Sequence, residues 1–128
     1  MRKILVVEND RVSRDLASAV LTKGGYDVVC ARDGEEALEV APELEADLVL
    51  MDVGLPGIDG IEVVETLHHD RRTADTPVVV WSALTMAQDV ERAWNAGCAA
   101  YLAKPVSARE LLQSIDAVFG VTRERATG

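Results

Sequence analysis

Five short apolar runs alternate with longer stretches whose apolar residues recur every three or four positions, and this alternation restricts the fold more than any other feature. The runs are residues 3–7, 26–31, 47–51, 77–81 and 99–103. Most are rich in Val, Leu or Ile, with apolar residues following one another directly. A strand with one wet face alternates; a continuous run suits a strand covered on both faces. Between the runs lie helical patterns. Asp10 can cap a helix in which Val12, Leu16, Ala19, Val20 and Lys23 share helical spacing, and Gly24 and Gly25 stop it. Asp33 opens a second, with Ala37, Leu38 and Ala41 turned inward and Pro42 near its end. A third holds Ile61, Val64 and Leu67, and a fourth holds Met86, Val90, Ala93 and Trp94 and stops at Gly97. A fifth holds Leu111, Leu112, Ile115, Val118 and Phe119. Five strand-then-helix units predict an α/β fold, a doubly wound (βα)5 parallel sheet with right-handed crossovers and helices on both faces. In such sheets ligands bind beyond the carboxyl ends of the strands, near a switch in strand order.

The 128 residues suit one domain, expected over residues 1–120, with 121–128 (VTRERATG) a polar, frayed tail. Aromatic residues are only 4%, so the core must be built from Val, Leu, Ile and Ala. The net charge of −9, without any Lys/Arg run, opposes direct binding to nucleic acid or an anionic membrane, both polyanions. Cys30 and Cys98 stand far apart in apolar segments and read as small buried hydrophobes. The opening MRKILVVEND is too short in apolar residues for a signal peptide, and no stretch approaches the ~20 apolar residues of a membrane span. The expected setting is a reducing cytoplasm.

What leaves each strand's carboxyl end is chemically coherent. Glu8, Asn9 and Asp10 follow the first strand, Asp52 the third, Ser82 the fourth, and Lys104 and Pro105 the fifth. If strands one, three, four and five are neighbours, carboxylates, a hydroxyl and an ammonium meet on one rim. That set can hold a divalent cation together with a phosphoryl group.

The segments ILVVEND, LVLMDVGLPGIDG, PVVVWSA and NAGCAAYLAKPVS, in this order and spacing, resemble the receiver domains of two-component response regulators over residues 3 to about 120. The resemblance implies a flavodoxin-like fold with strand order 2-1-3-4-5. It implies that Asp52 is the phosphoacceptor, that Ser82 bonds a phosphoryl oxygen, and that Lys104 balances phosphoryl charge. Mg²⁺ (or Mn²⁺) would contact Asp52, the Gly54 carbonyl and the pair Glu8–Asn9. The implied donor is a phosphohistidine on a histidine kinase or histidine phosphotransfer protein, which would dock on the first helix, with Arg11, Val12, Arg14 and Asp15 as candidate contacts. The product is an acyl phosphate that hydrolyses spontaneously, so the implied protein is a self-limiting phosphoacceptor rather than an enzyme. Tyr101 matches the family's aromatic switch: as Ser82 moves toward the phosphoryl group, Tyr101 turns in. This reshapes the face formed by the fourth helix, fifth strand and fifth helix, which would engage an output protein or domain, or a second copy as a homodimer.

One departure stands out. The family places two acids after the first strand, and Asn9 here replaces the second, which predicts weaker metal binding. It also leaves open a receiver-like module that acts by protein interaction without phosphorylation. Simpler readings stand beside the others. Asp52 can open a turn before Pro56, Lys104 can be a solvated residue before Pro105, and Ser82 can cap the fourth helix. Asp10 and Asp59 read as helix caps, and His68 and His69 as surface residues. Trp81 points away from Ser82, toward the core, and Trp94 packs partly inward or offers a partner-binding face. A flavodoxin would need a Ser/Thr/Gly-rich loop where ENDRVS stands. A haloacid-dehalogenase-type phosphatase would need an acid where Gly54 stands.

Overall fold

The computed structural model describes residues 1–54, 57, 59–83 and 86–123. Its elements are β1 (Lys3–Val7), α1 (Arg11–Lys23), β2 (Asp27–Ala31), α2 (Gly34–Leu44), β3 (Leu48–Met51), α3 (Gly60–His69), β4 (Val78–Ser82), α4 (Ala87–Asn95), β5 (Ala100–Ala103) and α5 (Ala108–Phe119). The strands form one parallel sheet in the order β2-β1-β3-β4-β5. This is the flavodoxin-like topology expected above. Pro56 lies outside the described residues, as does the tail beyond Arg123.

Side chains on successive strand residues point to opposite faces, so each apolar run feeds two cores. Leu5, Val7, Val49, Met51, Val78 and Val80 meet Ala37, Ala41, Val63, Val64, Leu67 and Ala93 from α2, α3 and α4. Ile4, Val6, Leu48, Leu50, Val79 and Trp81 meet Ala17, Leu21, Leu111 and Ile115 from α1 and α5. Asp10, Asp33, Asp59 and Ser107 cap α1, α2, α3 and α5 through side-chain bonds to backbone amides. The N-cap of α4 is Met86, without a side-chain bond, so Ser82 does not cap that helix.

Several expectations change. Helical spacing finds a stripe without saying which way it turns: α1 buries Ala17 and Leu21 and leaves Val12 and Leu16 exposed. Trp94 is 49% exposed, so it packs only partly inward and presents the rest of its ring to solvent. Tyr26 precedes β2, its amide donating to the Leu21 carbonyl at the end of α1. Residues 121–123 are held rather than frayed: the Val121 amide donates to the Asp116 carbonyl, and Arg123 reaches the Asp116 carboxylate and the Gly24 carbonyl.

Gly60 shows how tightly α3 is seated behind the strand ends. A Cβ there would lie 2.4 Å from Val53 Cα and 3.1 Å from the Asp52 carbonyl oxygen. Alanine in a helix normally gains up to ~1 kcal/mol over glycine, but overpacking against backbone costs ~1–3 kcal/mol. The clash wins, so Gly60→Ala should lower the urea midpoint.

Candidate functional site

The chain runs from β1 through α1 to β2 on one side, then returns through α2 to β3 on the other. The strand order therefore switches between β1 and β3, and the carboxyl ends of those strands open onto a crevice. Hydrogen bonds continue one residue beyond the strands. Glu8 donates its amide to Ala31, Asp52 to Val7 and Lys104 to Ser82, at 3.0, 3.0 and 2.8 Å. These rungs fix the backbone of the polar residues in the frame of the sheet.

Their side chains converge. The Lys104 ammonium donates to Glu8 Oε2 at 2.8 Å and to Asp52 Oδ2 at 3.1 Å, although these partners lie 96 and 52 residues away in sequence. Glu8 is 2% exposed and Asp52 9%. Glu8 Oε1 accepts from the Asp10 amide and Asp52 Oδ1 from the Gly54 amide, so each carboxylate is held at both ends. Burial pushes the Glu8 carboxyl above its usual range; Lys104 opposes that push and Asp52 adds to it. Burial disfavours the Lys104 ammonium as well, but the two carboxylates outweigh it and hold its pKa above the ordinary lysine value.

Ser82, the last residue of β4, is buried, and its carbonyl accepts from the Lys104 amide. Burial is the largest influence on the Tyr101 phenol and raises its pKa, with neighbouring Ser82 opposing. Tyr101 is half-buried against the core formed with α2, α3 and α4. Asn9 is exposed at the rim. Asp59 caps α3 through the Ile61 amide and also accepts from Arg92 of α4 at 2.8 Å, tying the segment after β3 to that helix. His68 is only half-exposed; its Nδ1 lies 3.1 Å from the Ala96 carbonyl and joins α3 to the end of α4. His69 is exposed.

Two neighbours escape a reading by motif. Arg14 turns back from α1 and donates to the carbonyls of Glu8 and Asn9, at 3.0 and 3.3 Å, strapping the loop that carries both. Trp81 lies beneath Lys104, with the ammonium 4.5 Å from the ring centroid. Adjacency to Ser82 was the only hint in the sequence that Trp81 borders the site.

The oxygen donors on offer, the Glu8 and Asp52 carboxylates, the Asn9 amide and the Gly54 carbonyl, suit a hard divalent cation in kind. In number of charges the set is lean. Among the described residues no three His, Cys, Asp or Glu side chains gather as a metal cluster.

A parallel five-stranded sheet in this order, with a buried acid–lysine cluster at its switch point, places the chain in the class of doubly wound α/β proteins that carry their site at the strand ends. Comparison with known proteins narrows the class. The family profile "Response regulator receiver domain" matches residues 4–116. The polar-differentiation response regulator DivK of Brucella ovis is 34% identical over 119 residues, 93% of this chain and 97% of that protein. The DNA-binding dual master transcriptional regulator RpaA of Synechocystis is 38% identical over 118 residues, 92% of this chain. The match spans only 49% of that regulator. Among solved structures, the chemotaxis protein CheY4 of Vibrio cholerae superposes with a TM-score of 0.88 at 29% identity, covering 92% of this chain and 98% of that one. The receiver domain of the Pseudomonas aeruginosa sensor histidine kinase PA1611, described with a magnesium ion in its active site cleft, gives 0.86 at 30% identity, covering 93% and 98%. The chain belongs to the response regulator receiver domain family of two-component signalling. No helix among the described residues is long and apolar enough to cross a membrane.

Proposed function

We propose that this domain accepts a phosphoryl group on Asp52 from a phosphohistidine donor and passes the signal through the surface of α4, β5 and α5. The observation that carries this reading is the Lys104 ammonium bonded to both Glu8 and Asp52 at the switch point of the sheet. In the transfer, an Asp52 oxygen attacks phosphorus as the bond from phosphorus to the donor imidazole nitrogen breaks, leaving an acyl phosphate and a free imidazole. The transition state is loose and needs charge neutralised more than bonds assisted. Asp52 is held in line by the Gly54 amide, and Lys104 exchanges its contact with Asp52 for a phosphoryl oxygen. Ser82 on β4 moves to bond another phosphoryl oxygen, and the Tyr101 ring on β5 turns inward into the space it leaves. Magnesium bound by Asp52, Glu8, Asn9 and the Gly54 carbonyl would supply further neutralising charge. Water later attacks phosphorus, the acyl-phosphate P–O bond breaks, and the carboxylate returns with release of inorganic phosphate. No other substrate is turned over.

Residues 1–120 would form the working unit. The donor's docking surface would use α1, where Val12 and Leu16 are exposed beside an open cavity of about 350 Å³ lined in part by Ala83, Pro105 and Val106. Arg11 pairs with Asp15 on this face, while Arg14 is committed to the loop carbonyls. An output domain or a second copy would meet the opposite edge, where Met86 and Trp94 are exposed. A histidine kinase, a histidine phosphotransfer protein and an output partner are the classes of protein this function requires.

The test is a mass measurement after treatment with acetyl phosphate and magnesium. The chain should gain one labile phosphoryl group and Asp52→Asn none. A wild-type chain that gains none at saturating magnesium would instead be an interaction module independent of phosphorylation. Metal dependence gives a second expected result. Asn9→Asp adds a carboxylate at the rim and should tighten magnesium binding by roughly tenfold, since affinity follows ligand charge. Equal magnesium titrations of the two proteins would remove the idea that Asn9 weakens the site.

A further inference from the structure

We propose that Trp81 is a positioning residue for phosphoryl transfer, its indole face being the third support of the Lys104 ammonium. The proposal rests on the phosphotransfer reading above. Lys104 reaches the site on a flexible stem and is held by two carboxylates and one ring. The carboxylates are temporary partners. Asp52 becomes the phosphorylated group, and Glu8 is needed by any bound cation. As each withdraws, the ammonium would swing toward water and lose its aim. The indole face attracts a cation without carrying charge, so it competes with neither the phosphoryl group nor a metal. The ring is itself held firmly. Trp81 is 4% exposed, packed with Ile4, Val6 and Leu50 among others, and paired in register with Leu102 at the end of β5.

A second observation sets Trp81 apart from ordinary packing. Among the described residues its buried Nε1–H finds no acceptor. A buried donor left unpaired is destabilising, and a phenylalanine would present an apolar ring without that burden. Tryptophan is, however, the strongest aromatic platform for a cation. The residue tolerates a defect in the core and gains grip on the ammonium, a balance expected where placement of Lys104 matters more than packing.

The test has two arms. The first needs no phosphorylation. Proton NMR of the full chain should show the Lys104 ε-methylene displaced upfield by the ring current, intermediate in Trp81→Phe and returned to ordinary values in Trp81→Leu. Ordinary values in the wild type would overturn the contact. The second arm is a double-mutant cycle on the rate of phosphorylation by acetyl phosphate at saturating magnesium. Trp81→Leu should be about fivefold slower than wild type, as loss of one partly desolvated cation–π contact predicts, with Trp81→Phe within about twofold. In a Lys104→Met background, Trp81→Leu should add nothing. An equal slowing in both backgrounds would make Trp81 merely structural, and an unslowed Trp81→Leu would overturn the positioning role. If Trp81→Leu does not fold, Trp81→Met, which also removes the aromatic face, carries the same cycle with the same expected slowing. A wild type that takes up no phosphate defeats the phosphotransfer reading, while the NMR arm still decides the contact.

Discussion

Lys104→Met should cut phosphorylation of Asp52 by a small phosphodonor on the order of a hundredfold or more, while leaving a folded protein. The two halves of this expectation have different causes. In the proposed transfer, the ammonium would be the protein's own charge aimed at the incoming phosphoryl group, and loss of one pre-aimed stabilising donor typically costs ~10²–10³ in rate. In the resting fold, methionine fills most of the same volume but leaves Glu8 and Asp52 facing each other without their cation. Glu8 has an escape. Its carboxyl is already pushed up by burial and by Asp52, and Lys104 is the side chain that opposes that push. A protonated Glu8 can then share its proton with Asp52, so the stability loss stays well below the 3–5 kcal/mol of a stranded buried charge. The sign of the pH response follows. A carboxyl with a raised folded pKa favours the folded state most at low pH, and that contribution fades as pH climbs through the folded value. Lys104→Met should therefore lose more stability near neutrality than near pH 5, measured by urea unfolding at both. A variant as active as wild type would remove Lys104 from the chemistry.

The strands and the site were legible in the sequence to different depths. Runs such as LVLM and VVVWS announce buried parallel strands because both faces are covered, and the same continuity makes their carboxyl ends stand out as sudden polar residues. Caps at Asp10, Asp33 and Asp59 were legible because the chemistry is local: each side chain bonds an amide two or three residues on. Whatever depends on distant residues was not. Val12 and Leu16 satisfy the helical period, yet the rotation of α1 against α5 and the sheet decides that Ala17 and Leu21 face inward. Lys104 could be read as a solvated residue until the sheet brought Glu8 and Asp52 to it. Arg14 and Trp81 match no motif, since a guanidinium bonding carbonyls and a ring under an ammonium are compatible with many sequence positions.

The far end of the sheet carries the other large effect. Asp116, buried on α5, accepts from the Tyr26 hydroxyl and takes two nitrogens of Arg123 at 2.6 and 3.1 Å. Arg123 also donates to the Gly24 carbonyl, so one cluster joins the end of α1, the approach to β2, α5 and the segment after it. Asp116→Ala would strand the Tyr26 hydroxyl and release Arg123 together. An orphaned buried donor costs ~1–3 kcal/mol, with more added when the lost partner was charged. For a chain of this size that corresponds to roughly 6–12 °C in melting temperature. Arg123→Ala should do less, because its side chain is 43% exposed and water screens the pair. Burial pushes the Asp116 carboxyl up, but Arg123 and Tyr26 together prevail and hold it below the usual carboxylate range. Its contribution is therefore complete above the unfolded value and is lost as pH falls through the folded one. Thermal melts of wild type and Asp116→Ala should differ most at neutral pH and draw together in acid. A gap that is constant with pH would show that packing, rather than the charge on Asp116, fastens the end of α5 to the sheet.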